Sequence, residues 1–244
     1  MAKYWGKISY DGSYFYGWAI QPSVRTVSGE LIFNANKFLN ESVKITGAGR
    51  TDRYVHALKQ EFTIEIKNQK LNKRGLIKKW NEIPGLEVLS LKKVADDFDV
   101  RRGKNNKTYY YLVNNKKNYD AKLNSNYQFN YYFKIDFDKL NKQAQKLVGT
   151  KDFASFTAKE NYKSTIRTVR SIIVEQNGYY ISFTVEGPAF MRFMIRNLVG
   201  ALLANNRDVL SDLEFDELLL NPKKGKAHYK APGSGLYLIK IDRK

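Results

Sequence analysis

The sequence contains no cysteine, which excludes disulfides, thiolate metal sites and a cysteine nucleophile. Histidine is nearly absent too, with only His56 and His228. That scarcity argues against the zinc centres of hydrolases and nucleobase deaminases. No apolar run is long enough to cross a bilayer. Met1-Ala2-Lys3-Tyr4 leads straight into a strand pattern without the features of a signal peptide. The expected setting is therefore cytoplasmic, with no membrane partner. Neither Gly-x-x-x-x-Gly-Lys-Ser/Thr nor a Gly-x-Gly-x-x-Gly after a strand occurs, so no nucleotide cofactor is expected.

Acidic residues are also in deficit, 24 against 42 lysines and arginines, for a formal charge of +18. A charge of this size attracts polyanions, nucleic acid first among them. Lysine, asparagine, tyrosine, isoleucine and phenylalanine share AT-rich codons, so genome composition is a second source for this excess. At 244 residues with 43% hydrophobic content, the chain can bury a core in one large domain or two small ones.

Hydrophobic periodicity predicts a strand over residues 4–10, turn residues at 11–13, and aromatics in a loop at 14–18. Those aromatics can stack on bases or pack over the sheet edge. A helix capped by Thr26 runs to about residue 40, with Val27, Leu31, Ala35 and Phe38 as its core face. Strands over 43–46 and 62–66, a helix over 71–83 and a strand over 86–94 complete a strand–helix–strand–strand–helix–strand order, that of a split βαβ unit. The charged stretch 95–106 connects this to the second half, giving domains at 1–104 and 105–244. Either the stretch is a solvated face or it lines a nucleic-acid cleft.

The second half begins with a strand over 107–114, alternation placing Tyr109 and Tyr111 on one face and Tyr110 on the other. A long loop is expected over 115–133 and a helix from Asp138 to Gly149. Strands over 166–175 and 179–186 are joined by Asn177-Gly178, a strong hairpin signal. A helix over 190–204 is apolar almost all round and so buried. It carries Arg192 and Arg196 four residues apart on one face. Buried arginines must be paired or aimed at an anion. Ser211 and Glu214 form a capping box opening a last helix, and a strand over 236–241 closes the chain.

One loop concentrates chemistry. Gly47-Ala48-Gly49-Arg50-Thr51-Asp52-Arg53-Tyr54-Val55-His56-Ala57 sets small residues, a long cation, a hydroxyl and a carboxylate side by side at a strand end, where functional groups commonly sit. The same residue types also make an ordinary turn in which Arg50 pairs with Asp52 and Thr51 caps the chain.

Ala48-Gly49-Arg50-Thr51-Asp52-x-x-Val55-His56 resembles Ala-Gly-Arg-Thr-Asp-x-Gly-Val-His, the signature of the TruA family of tRNA pseudouridine synthases. The likeness extends in order along the chain through Tyr10-Asp11-Gly12-Ser13-x-Phe15-x-Gly17-Trp18, Lys107-Thr108-Tyr109-x-Tyr111, Asp152-Phe153-x-Ser155-Phe156, Phe190-Met191-x-x-Met194-Ile195-Arg196-Asn197-Leu198-Val199-Gly200 and Gly235-Leu236-Tyr237-Leu238. It implies an α+β fold of two similar halves forming a central, mainly antiparallel sheet with a basic cleft between them. It further implies a homodimer that isomerises uridines in the anticodon stem-loop of tRNA, at roughly positions 38–40, reading RNA by shape and backbone. No cofactor and no metal are implied.

By the same resemblance Asp52 is the catalytic residue, as nucleophile or as base at the ribose. Tyr109 packs on the target uridine. Arg50 fills the space left by the flipped nucleotide, and Arg196 faces the catalytic carboxylate. Where the family has glycine two residues after the aspartate, this chain has Tyr54. A glycine there implies a backbone conformation that a bulky residue tolerates poorly. A non-catalytic RNA-binding or RNA-folding protein on the same scaffold, or a basic ribosome-associated factor, is the alternative.

Overall fold

A computed structural model describes the whole chain except residues 68–70, 104, 117–123, 159 and 244. The fold is α+β. It divides into two compact units, Met1–Asn105 with Tyr237–Lys244, and Asn106–Leu236.

In the first unit β1 (Ala2–Tyr10) alternates between buried and half-buried positions along its whole length. It pairs antiparallel with β3 (His56–Ile66) on one side and β4 (Leu86–Val94) on the other. β2 (Lys44–Gly47) adds antiparallel to β3. Two helices supply the hydrophobic cover. α1 (Val27–Leu39) begins where the Thr26 side chain accepts from the Gly29 N–H, and it buries Val27, Leu31 and Ala35. α2 (Lys73–Trp80) is capped by Asn72 and buries Leu76 and Trp80. The Trp80 indole N–H donates to the Leu31 carbonyl at 2.9 Å, and its ring meets Phe62 edge-on at 5.7 Å. One tryptophan thus links both helices and the sheet. Phe38, expected on the α1 core face, is 38% exposed. It lies in the last turn of α1 and flanks Gly75 of α2.

The second unit repeats the strand–helix–strand–strand order. β5 (Asn105–Asn114) pairs antiparallel with β10 (Tyr180–Gly187), and β10 with β9 (Ser171–Asn177). β6 (Phe129–Asn130) adds parallel to β5, inside the stretch expected to be loop; residues 117–123 of that stretch lie outside the described residues. α3 (Phe137–Lys146) starts at an Asp136 cap, two residues ahead of the expected Asp138. A separate hairpin, β7 (Gly149–Asp152) with β8 (Ile166–Val169), stands beside it. The turn of the β9–β10 hairpin is centred on Gly178-Tyr179, because Asn177 pairs with Tyr180. Gly178 has φ 59°, so glycine holds the first central position, as type II′ turns require.

α4 (Met194–Asn206) is buried along nearly its entire length, and α5 (Asp212–Leu220) follows with the expected Ser211–Glu214 capping box. The apolar pattern had placed the α4 start at residue 190. Phe193 instead has φ 64° and stops the helix there, a break with no glycine or proline to announce it.

The last strand, β11 (Leu236–Arg243), pairs parallel with β3 through Tyr237–His56 and Leu238–Ala57. Tyr237 and His56 stack at 4.6 Å. Residues 237–244 therefore cluster with the first unit rather than with the C-terminal half to which their place in sequence had assigned them. Arg243 clamps that junction, donating to Glu61 at 2.5 Å and to the Arg102 carbonyl at 3.2 Å. Within the charged connection Asp99 pairs with Arg101, whose hydrogen bonds hold its carboxyl below the usual carboxylate range.

Candidate active site

The signature loop leaves β2 at Gly47 and enters β3 at His56. His56 and Ala57, expected in the loop, already belong to the strand. The loop base is tied by Ala48 N–H to the Glu61 carbonyl at 2.8 Å and by the Gln60 amide to the Gly49 carbonyl at 3.1 Å. Thr51 is buried, and its hydroxyl lies 2.8 Å from the Tyr10 hydroxyl. Its carbonyl accepts from the Trp18 N–H at 3.1 Å. Burial drives the Tyr10 phenol well above its usual range, against the opposing Thr51 and Gln60 hydrogen bonds. Tyr10 therefore stays a neutral hydrogen-bonding anchor.

The segment after β1 forms a floor under this loop, and glycines make the approach possible. A Cβ on Gly12 would stand 2.4 Å from the Val55 carbonyl oxygen, and one on Gly17 would stand 2.6 Å from the Thr51 oxygen. Gly12 N–H also donates to His56 Nδ1 at 3.0 Å. The aromatics of this segment divide by burial. Phe15 and Trp18 are core, while Tyr14 and Tyr16 are exposed.

Asp52 opens a four-residue turn closed by Val55 N–H to the Asp52 carbonyl at 3.2 Å. The third turn residue, Tyr54, has φ 67°. That is the conformation type II turns reserve for glycine. The tyrosine thus accepts the left-handed backbone, at a cost of about 1–2 kcal/mol for a residue with a side chain. Its ring is not idle. The Arg53 guanidinium lies 4.5 Å from the Tyr54 ring and 4.0 Å from the Tyr16 ring, and donates to Tyr54 Oη at 2.7 Å. Sequence reasoning missed this stack, since Tyr16 and Arg53 lie 37 positions apart in sequence.

Asp52 and Arg50 share this loop in the first unit; Tyr109 and Arg196 belong to the second. Tyr109 is 8% exposed and meets Phe190 edge-on at 5.5 Å. Beside it on β5, Thr108 donates to Glu186 at 2.9 Å. Two strand positions further on, the Tyr111 phenol is fully buried and donates to the Pro232 carbonyl at 2.8 Å. Burial pushes its pKa up; the charge of Arg196 opposes the shift.

Arg192 and Arg196 do not form the expected pair on one buried helical face. Arg192 precedes α4, is exposed, and bonds Glu160 at 2.7 Å. Arg196 is half-buried in the first turn, where its Nε–H donates to the Ala231 carbonyl at 2.8 Å and its carbonyl accepts from the Ala231 N–H at 3.0 Å. One residue on, Asn197 donates to the Phe156 carbonyl at 2.8 Å. A Cβ on Gly200 would lie 1.3 Å from the Tyr229 carbonyl oxygen. The Arg196–Gly200 run is therefore a docking surface for the 229–231 segment. Among the described residues no group of histidines and carboxylates suits a metal ion, and no helix is long and apolar enough to cross a membrane.

A carboxylate-bearing loop at the end of a strand in a strongly basic chain suits an enzyme that acts on a polyanion. A family model described as tRNA pseudouridine synthase matches residues 143–242. Three relatives named tRNA pseudouridine synthase A align over almost the whole chain. The protein of Mycoplasma genitalium is 36% identical, covering 98% of this chain and 97% of its own. That of Malacoplasma penetrans is 35% identical over 96% and 97%, and that of Borreliella afzelii 33% over 99% of each. The chain belongs to the tRNA pseudouridine synthase A family.

Proposed function

We propose that the protein isomerises uridine to pseudouridine in the anticodon stem-loop of tRNA, at roughly positions 38–40, reading the RNA largely by shape and backbone. The observation that carries this reading is Asp52, set in the family signature and fixed in a turn that Tyr10, Thr51 and Trp18 hold rigid. The reaction breaks the ribose C1′–N1 bond, turns the base and forms C1′–C5. N1 gains a proton and C5 loses one. Product and substrate have the same composition, so the step needs neither oxidant nor group donor.

Asp52 acts at the ribose, as nucleophile or as base. Tyr109 covers one face of the uridine, held at its edge by Phe190. Arg50 takes the space vacated by the nucleotide, which must leave its stem to be reached. Arg196 carries the cation of the family's C-terminal motif toward the substrate. The homodimeric state and a cytoplasmic location belong to the same proposal.

The test is tritium release from unmodified tRNA labelled at uridine C5, followed by mapping of pseudouridine in the product. Wild type is expected to release label and to modify only the anticodon stem-loop. Asp52→Ala is expected to release none while binding tRNA within about threefold of wild type, a difference of under about 1 kcal/mol. Release by Asp52→Ala would refute the assignment. Tight binding without release by wild type would favour the non-catalytic RNA-binding protein.

A further inference from the structure

The stack that follows Asp52 has a chemistry of its own. The Arg53 guanidinium carbon lies 4.0 Å from the centre of the Tyr16 ring and 4.5 Å from that of Tyr54, so two aromatic rings pack against it. Arg53 is exposed, and among the described residues it forms no ion pair with a carboxylate. One edge donor is used, on the neutral Tyr54 hydroxyl. A guanidinium has five N–H donors in a fixed fork, and in-plane donors of a fixed cation match the oxygens of a phosphodiester. The two rings and the Tyr54 hydroxyl restrict the fork before the ligand arrives, so less freedom is lost on binding.

We infer that the Tyr16–Arg53–Tyr54 stack is a preorganised phosphate clamp for the RNA backbone flanking the nucleotide presented to Asp52, with Tyr54 as the residue that orients Arg53. This rests on the function proposed above and adds a contact to it. The clamp accounts for the side chain at position 54. A glycine would suit the φ of 67° but would remove one of the two rings beside Arg53 and its hydroxyl acceptor.

The experiment uses the full chain and unmodified tRNA. Binding constants are measured over a range of salt concentrations in the Asp52→Ala background, so that no turnover intervenes. Steady-state KM and kcat come from tritium release by the otherwise wild-type chain. One lost phosphate contact lowers the magnitude of the log K against log salt slope by about 0.7–0.9. Arg53→Ala is expected to show that loss, with binding weaker by about tenfold, KM raised and kcat nearly unchanged. Arg53→Lys keeps the charge and the slope but loses part of the affinity, because a lysine does not reproduce the fork.

Tyr54→Gly is expected to weaken binding and raise KM while its melting temperature holds or rises, because the backbone strain is removed. A stack that only props the turn would instead lower kcat and leave the salt slope of Arg53→Ala at the wild-type value; that result overturns the proposal. So does Tyr54→Gly binding tRNA like the parent protein. Absence of tritium release by wild type would defeat the catalytic reading alone, since the salt slopes are read without catalysis.

Discussion

Replacing Gly12 by alanine should slow catalysis without touching a single charged or nucleophilic group. The added Cβ would fall 2.4 Å from the Val55 carbonyl oxygen and 2.7 Å from the Tyr54 carbonyl carbon, both backbone atoms. Ordinary contact begins near 3.4 Å, so the far side of the Asp52 turn must retreat by about 1 Å. Overpacking of this kind costs about 1–3 kcal/mol of stability. The kinetic effect is larger in proportion. A misplacement of about 1 Å in a reacting group costs on the order of a hundredfold in rate, and Asp52 is hydrogen-bonded through its own carbonyl to Val55. The expected result is a kcat for tritium release lower by about 10–100-fold, with tRNA affinity within about threefold of wild type. Gly178→Ala is the control. It meets no atom within 4 Å and carries only the strain of φ 59°, so stability should drop slightly and kcat should not move. A Gly12→Ala enzyme that is well folded and turns over at the wild-type rate would refute the claim that the segment after β1 sets the position of Asp52.

Two further outcomes follow from packing and burial. Gly200→Ala drives a methyl into the Tyr229 carbonyl and breaks the reciprocal Arg196–Ala231 hydrogen bonds. A loss of about 3 kcal/mol or more is expected, seen as a melting temperature lower by about 10 °C; a shift under about 2 °C would contradict it. At alkaline pH, Tyr131, whose hydroxyl donates to the Leu203 carbonyl, ionises only near pH 12 because burial outweighs the neighbouring Arg207, and Tyr10 and Tyr111 are shifted upward as well. Unfolded tyrosines ionise near pH 10. Above that value the folded state therefore holds more protons than the unfolded one, and stability must fall as pH rises through 10 toward 12. Phenolate absorbance should show a class of tyrosines that ionises together with unfolding. Titration of every tyrosine before any loss of structure would exclude this.

Local chemistry was readable where a short run of residues decides the outcome. Thr26 and the Ser211–Glu214 box marked helix starts that the structure repeats. The order of strands and helices in the first unit was visible as alternation and helical spacing. Events decided by distant residues were not. Nothing in the apolar run before α4 signals the left-handed Phe193, and periodicity alone carries that helix upstream. The partner of Arg192 is a glutamate 32 residues earlier. The pairing of β11 with β3 joins residues 181 apart in sequence. The family signature singled out the aspartate, but the contacts that hold its loop were not visible in it. The Tyr10–Thr51 contact and the approaches of Gly12 and Gly17 depend on a 41-residue separation closed by the sheet.

That same distant pairing bears on how the molecule is made. The first unit is discontinuous, and its strand β3 waits for a neighbour encoded some 180 residues later. Domains ordinarily settle in order as they leave the ribosome. Here the half that carries Asp52 emerges first yet closes last, when Tyr237 arrives to cover His56. A nascent chain stalled before residue 237 would leave His56 and Ala57 of β3, at the end of the signature loop, without their β11 partners.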